Sequence, residues 1–287
     1  MKKISRELVK EKIRYNLSLV IPNLGRYIYF RHYENLSNDE KFQIEPEMFL
    51  LPALVNKDGI VFDVGANVGG YCYQLEKLTS ARNIFAFEPL AKEYRLLQKL
   101  FPYVNLFNIA LSNEVGFKTL RIPVLSNGTY LSTRSSLERI VENVDIDHYL
   151  EIRVETNTID NIVASLGLLR IDFIKIDVEG HEFEVLKGAS KTLERMRPVL
   201  LVEIEQRHHP FAIEVIFDYI SSLGYSGFFI SRFNKDCLPL ENFLFSRSHN
   251  SSSAQDMHNV NNFFFVSAGE EEKYLYSVKK ILKGLDA

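Results

Sequence analysis

Ile60-Val-Phe-Asp-Val-Gly-Ala-Asn-Val-Gly-Gly70, followed by Asn83-Ile-Phe-Ala-Phe-Glu-Pro89, reads as two buried strands that each end in a carboxylate, with a glycine turn after the first. Gly65 and Gly69 sit where a strand must turn sharply into a helix. Without a Cβ they reach dihedrals closed to other residues and let the backbone approach a ligand. Glu88, ending the second strand, is placed to accept hydrogen bonds from both hydroxyls of a ribose. It lies 23 residues after the first glycine, close to the roughly 20 expected between a nucleotide-binding turn and its ribose acid. The glycines are spaced Gly-x-x-x-Gly and not Gly-x-Gly-x-x-Gly, the pattern that sets a helix N-terminus against a pyrophosphate. This disfavours NAD and favours a nucleoside ligand without phosphates, of which S-adenosylmethionine is the commonest. Asp63 and the turn backbone are placed to hold its amino-acid end.

Working outward, strand and helix alternate as Ile60–Val64, Tyr71–Leu78, Ile84–Phe87, Ala91–Leu100 and Val104–Asn108, an order that implies a parallel sheet with right-handed crossovers. Phe117–Val124 and Ile152–Thr156 are strand-like, and the Ser/Thr/Asn/Gly-rich Ser126–Ser136 between them suggests a mobile insertion able to close over a substrate. The alternation resumes with a helix over Asp160–Leu168, a strand over Phe173–Ile176, a helix over Glu182–Leu186 and a strand over Val199–Ile204. A helix over Phe211–Leu223 stops at Gly224. Phe228–Ile230 and Phe263–Val266 read as the last two strands, joined by a stretch whose polar part, Ser246–Gln255, is expected to be flexible. The expected organisation is a helical cap or extension over residues 1–45, a catalytic domain over 46–270 and a terminal helix over 271–287. In the cap, Leu8, Ile13, Leu17 and Val20 are candidates for one apolar face, covering the sheet or forming a homo-oligomer surface. A basic amphipathic membrane helix is the alternative, weakened by interleaved acids.

The 287 residues carry 34 basic and 37 acidic side chains, a net charge of −3, so no global field attracts nucleic acid or an anionic membrane. A small molecule or glycan is the expected partner. Cys72 and Cys237 are far apart and fit neither a disulfide framework nor a cysteine zinc site. No apolar run approaches the roughly 20 residues of a bilayer span, and a cytoplasmic enzyme is expected.

A second carboxylate cluster lies in Phe173-Ile-Lys-Ile-Asp-Val-Glu-Gly-His-Glu182. It sets Asp177 at the carboxyl end of a strand, where ligands of open α/β sheets bind. Lys175 faces the same side as Asp177. Glu179 and Glu182 read as supports for the following helix through its macrodipole, and His181 as a surface helix residue.

These motifs, with Asn108-Ile-Ala-Leu-Ser112, Lys187-Gly-Ala189, Pro198–Glu203 and Asn262-Phe-Phe-Phe-Val266, together resemble the FkbM family of S-adenosylmethionine-dependent methyltransferases over roughly residues 58–266. Lys-Ile-Asp-Val-Glu-Gly-His-Glu is the most distinctive element. The resemblance implies an α/β, Rossmann-like class I methyltransferase fold: a seven-stranded, mostly parallel sheet with helices on both faces and its last strand antiparallel. It also implies mainly O-methylation of sugars or secondary metabolites. By position, Asp63, Gly65, Asn67 and Gly69 match the loop at the methionine end, Glu88 the ribose acid, and Asn108 to Ala110 the adenine edge.

Methyl transfer is an in-line displacement at a carbon activated by a sulfonium, so placing both reactants in line supplies much of the catalysis. An alcohol acceptor must also lose a proton, for which a positioned base typically contributes roughly a hundred- to ten-thousand-fold. Asp177 is the first catalytic candidate and His208, an expected loop residue, the second, with Glu203 near enough to orient either. Asp177, Glu203, Glu205 and His208 offer oxygen and nitrogen donors, but their spacing is no recognised ligand motif and no metal is assigned. The rival readings are a nucleotide-dependent oxidoreductase and a noncatalytic adenosyl-binding protein.

Overall fold

The computed structural model describes residues 6–138, 146–232, 234–249 and 260–284. Helices α1 (Arg6–Val20), α2 (Pro22–Asn35), α3 (Asn38–Ile44) and α4 (Leu51–Leu54) lead into β1 (Val61–Val64), α5 (Gly70–Leu75), β2 (Ile84–Phe87), α6 (Ala91–Leu100) and β3 (Asn105–Phe107). A subsidiary sheet follows, made of β4 (Ala110–Leu111), β5 (Gly116–Leu125) and β6 (Ile146–Asn157). The main sheet then resumes through α7 (Ile159–Leu166), β7 (Phe173–Ile176), α8 (Glu182–Lys187), α9 (Ser190–Met196) and β8 (Val199–Glu203). The chain continues as α10 (Glu214–Ser222), β9 (Tyr225–Ser231), β10 (Asp236–Pro239), α11 (Leu240–His249), β11 (Asn262–Ser267) and α12 (Glu271–Gly284).

The main sheet runs β10-β9-β11-β8-β7-β1-β2-β3. Strands β3, β2, β1, β7 and β8 are parallel, and β11 is antiparallel to both of its neighbours. The sheet is thus the expected Rossmann-like one with an eighth strand where seven were expected. The addition is β10, a hairpin return onto β9 through Lys235 in the left-handed region, φ 48°. Asp236-Cys-Leu-Pro239 has too little apolar patterning to read as a strand; the hairpin and the burial of Cys237 place it there.

Buried strands of a parallel sheet are apolar on both faces, and here they divide two cores. Val61, Phe173, Leu201 and Phe264 meet α4, α5, α6 and α12 on one face; Phe62, Ile174, Leu200 and Phe263 meet α7 to α11 on the other. Other boundaries shift for local reasons. Helix α10 begins at Glu214 and not at Phe211, because the Gln206 side chain donates to Phe211 O (2.8 Å) and accepts from Ile213 N (3.2 Å), holding the lead-in out of the helix. Of the polar stretch expected to be flexible, Ser246 to His249 complete α11 and 250–255 lie outside the described residues.

Of the apolar face expected on α1, Ile13 and Val20 are exposed, Leu17 is half-buried and the Leu8 side chain lies outside the described residues. Instead α1 turns Ser18 toward Gly25 of α2, where an added Cβ would stand 2.5 Å from Ser18 Oγ. Two small residues let the helices approach, and that contact sets the rotation of α1. Among the described residues no helix is long and apolar enough to cross a membrane.

Candidate active site

The turn after β1 is laid directly on the end of β2. Gly65 N and Ala66 N donate to Phe87 O at 3.0 and 3.1 Å, and Asn67, in the left-handed region at φ 48°, donates its N–H to Glu88 Oε2 at 2.8 Å. Glu88 Oε1 accepts from Leu90 N at 2.8 Å. Each carboxylate oxygen keeps a further lone pair for a ligand. Burial pushes the Glu88 carboxyl up to about 7, against those two backbone hydrogen bonds.

The two glycines of the turn serve packing. Gly65, at φ 80°, would place a Cβ 1.9 Å from Asp177 O, and Gly69, at φ 90°, would place one 2.3 Å from the Phe101 ring. Close backbone approach is required, and it is made to β7 and α6.

Above this turn lies a cavity of about 620 Å³, within the usual range for small-molecule sites. Its walls include Gly65 to Val68, Phe87 to Leu90, Ile109 to Leu111, Lys175, Asp177 to Glu179, His181 and Glu203. Ala110 lies on the wall. Asn108 does not; its side chain donates to Glu88 O and Pro89 O at 2.9 and 3.0 Å and so steadies the strand end carrying Glu88.

Asp63 lies under the turn. β1 alternates faces, so Asp63 follows Val61 into the core beneath α5, where Cys72 Sγ donates to Oδ2 at 3.2 Å. The β1–β7 register sets Lys175 opposite it, with Lys175 Nζ 3.9 Å from Asp63 Oδ1 and 2.8 Å from Asp177 Oδ2. Burial raises the Asp63 carboxyl above the usual range, and Lys175 and Cys72 oppose that shift. Lys175 is raised in spite of burial, by Asp177 and then Asp63.

Asp177 reaches the cavity, as does Glu203, whose carboxyl is pushed up to about 10 by burial and then by its hydrogen-bonded neighbour Asp177. Asn261 Nδ2 donates to Glu203 Oε1 on its other side. His208 is buried at 8% exposure and is not an exposed loop residue. Its Nε2 stands 3.5 Å from Glu179 Oε2 and 3.9 Å from Glu205 Oε2, outside the cavity lining. Burial lowers it below the usual imidazole range.

His181 is likewise no surface residue. At 2% exposure it bridges Ser112 Oγ (2.9 Å to Nε2) and Glu138 Oε1 (2.6 Å to Nδ1). Glu182 supports the loop before α8 directly, its Oε1 accepting from Val178 N and Gly180 N at 3.2 and 2.9 Å.

The insertion folds back on the β5–β6 hairpin through bridges Val124–Tyr130 and Arg121–Ser136. Thr129 to Thr133, Ser135 and Leu137 thereby line the cavity, and Ser136 Oγ donates to Glu179 O at 2.5 Å. Tyr15, Tyr29, Glu45 and Met48 supply a wall from the N-terminal segment, which carried no recognisable motif. Tyr15 Oη donates to Lys92 O at 3.2 Å, tying α1 to the start of α6.

These residues suit an adenosyl cofactor. Glu88 retains acceptor capacity, and three polar atoms of residues lining the cavity, Asn67 Oδ1, Glu45 Oε2 and Ser135 Oγ, are buried with no hydrogen-bond partner among the described residues. Among the described residues no group of three or more His, Cys, Asp or Glu side chains is arranged to hold a metal ion.

The family model of the FkbM methyltransferase domain matches residues 63–226, more than half of the chain. The chain is 28% identical to the hexuronic acid methyltransferase AglP of Haloferax volcanii, over 53% of this chain and 59% of that protein. It is 27% identical to the 2-O-methyltransferase NoeI of Sinorhizobium fredii, over 52% of this chain and 64% of that one. It is also 29% identical to the AMB antimetabolite synthetase AmbE of Pseudomonas aeruginosa, over 52% of this chain and 8% of that protein. The chain thus spans less than two thirds of the length of each of these relatives. Among solved structures, an FkbM methyltransferase from Methylobacillus flagellatus aligns over 90% of this chain and 60% of its own, with a TM-score of 0.44 and 14% identity. The domain match encloses the glycine turn, Glu88 and the Asp177 loop that build the cavity, and the chain belongs to the FkbM methyltransferase family.

Proposed function

We propose that the protein is an S-adenosylmethionine-dependent O-methyltransferase acting on a hydroxyl of a sugar, glycan or secondary metabolite. The observation that carries this is the single cavity wall shared by the Gly65–Val68 turn, Glu88 and the Asp177–Glu179 loop. Two relatives named for a hexuronic acid and for 2-O-methylation support a sugar hydroxyl as acceptor. The net charge of −3 gives nucleic acid no general attraction, and two buried, unbridged cysteines suit the cytoplasm.

In this reading Glu88 holds the ribose, Ile109 and Ala110 flank the base, and the Asn67 turn receives the amino-acid end. The bound cofactor supplies a methyl group activated by a positive sulfur. The chain's part is to align the acceptor oxygen, exclude water with the Thr129–Leu137 loop and N-terminal wall, and receive a proton. Lys175 holds Asp177 at the rim, and Glu203, its carboxyl raised by burial and by Asp177, shares a hydrogen bond with that side chain. Asp177 is thereby placed to orient the acceptor, with His208 behind the adjoining wall.

The deciding experiment is calorimetric titration with S-adenosylhomocysteine, followed by labelled methyl transfer to methyl glycosides of a neutral hexose and of a hexuronic acid. One-to-one binding and a labelled glycoside are expected. Binding without transfer to these or any pooled metabolite would favour a noncatalytic adenosyl-binding protein.

Glu88→Ala is expected to weaken S-adenosylhomocysteine binding by about 1.5–3 kcal/mol, the value of a hydrogen bond to a charged group. A carboxyl at about 7 accepts from ribose hydroxyls better once ionised, so wild-type affinity should rise between pH 6 and pH 8. Glu88→Gln should flatten that rise. An unchanged pH dependence in Glu88→Gln would reject the ribose assignment.

A further inference from the structure

We propose that Glu179, and neither Asp177 nor His208, is the catalytic base: it is a residue of the cavity wall, and its carboxylate receives the proton of the acceptor hydroxyl. This rests on the methyl-transfer reading. As the acceptor oxygen bonds to the methyl carbon, the carbon–sulfur bond breaks with its electron pair left on sulfur, and the hydroxyl proton passes to Glu179, leaving a neutral carboxylic acid.

Three features of the structure single out this residue. Glu179 is in the left-handed region at φ 54°, a conformation that non-glycine residues hold only where surroundings enforce it and that concentrates at functional sites. Here the enforcement is visible. Ser136 Oγ holds its carbonyl, and Glu182 Oε1 holds the N–H groups of Val178 and Gly180 on either side. The first of these contacts comes from the loop that covers the cavity, so the position of the carboxylate is tied to closure of the wall.

The alternatives are already engaged. Asp177 Oδ2 takes the Lys175 ammonium at 2.8 Å, and the Glu203 carboxylic acid is hydrogen-bonded to the same side chain. That suits orienting a hydroxyl more than accepting its proton. His208 does not line the cavity; it stands 3.5 Å behind Glu179 and acts as a positioning residue.

The charged and titratable groups facing Glu179 are Asp177 and Glu182 from its own segment, Glu203 from β8, and Glu205, Arg207 and His208 from the segment after β8. Burial first, then Asp177, Glu182 and Glu205, push its carboxyl up to about 8 against Arg207. A base poised near the working pH combines adequate ionisation with adequate proton affinity.

The test compares wild type, Glu179→Gln and Glu179→Ala for S-adenosylhomocysteine affinity and for labelled methyl transfer to the same two methyl glycosides between pH 6 and pH 9.5. Expected for Glu179→Gln is a loss of kcat of roughly a hundred- to ten-thousand-fold, with cofactor-product affinity within about twofold and loss of the rise in rate centred near pH 8. Formate should restore part of the rate to Glu179→Ala, which a merely structural role would not allow. A kcat within threefold of wild type, or no rescue together with an equal loss of binding, overturns the proposal.

Failure of the wild type to methylate either glycoside while still binding S-adenosylhomocysteine would instead count against the acceptor class. Glu179 is then judged by the difference 13C carboxyl spectrum between wild type and Glu179→Gln in that complex. One carboxyl titrating between pH 7 and pH 9 supports the assignment, and titration below pH 6 overturns it.

Discussion

Gly65→Ala is expected to cost about 2–5 kcal/mol of folding stability, read as a lower denaturant midpoint with little change in slope. Two terms combine. A side chain in the left-handed region costs roughly 1–2 kcal/mol, and Gly65 sits at φ 80°. Overpacking adds typically about 1–3 kcal/mol, because the new methyl would lie 1.9 Å from Asp177 O, a backbone atom that cannot rotate away. β1 and β7 must separate to admit it, and that movement also displaces the Asp177 loop. Cofactor-product affinity should therefore fall with stability. A variant with wild-type midpoint and affinity would show that the turn does not pack against β7 as described.

Lys175→Met carries a comparable expected loss, about 3–5 kcal/mol, the range for removing one partner of a buried ion pair. Lys175 is 4% exposed and Asp63 fully buried, so the substitution strands the Asp63 carboxylate beneath α5 with only Cys72 as a donor. The sign with pH follows from burial. The folded-state Asp63 carboxyl is already raised and rises further without its ammonium. The cost is fully present well above that raised value and shrinks as pH falls toward the unfolded-state value. Denaturation of wild type and variant at pH 7.5 and pH 5 should show the deficit narrowing at the lower pH. Adding Asp63→Asn should recover part of the loss, because an amide needs no countercharge. A deficit independent of pH would mean that the loss arises from packing over the Tyr71 ring, which the Lys175 Nζ approaches to 4.7 Å.

The strands of the main sheet other than β10, the turn after β1 and the acid ending β2 are legible in the chain. Each is a local pattern: apolar runs of strand length, glycine where φ must be positive, a carboxylate at a strand end. Side-chain destinations are legible only where the period decides them. Alternation puts Asp63 and Lys175 on a common face of neighbouring strands and turns Asp63 toward the core with Val61, but only the β1–β7 register makes them partners. His181 and His208 look like surface residues because cover for each comes from far along the chain, Glu138 and Ser112 for one and Glu179 for the other.

The sequence by itself determined the parallel strands, the glycine turn and the family, since those depend on short-range periodicity and on residue types at fixed spacings. Tertiary structure alone decided which carboxylates meet the cavity and which lie beneath it. It also decided that an N-terminal segment without a motif supplies Tyr15, Tyr29, Glu45 and Met48 to the wall, and that the insertion is anchored to Glu179. Such choices depend on helix rotation, strand register and the closing of long loops. They are energies of contact between distant residues, which no local pattern encodes.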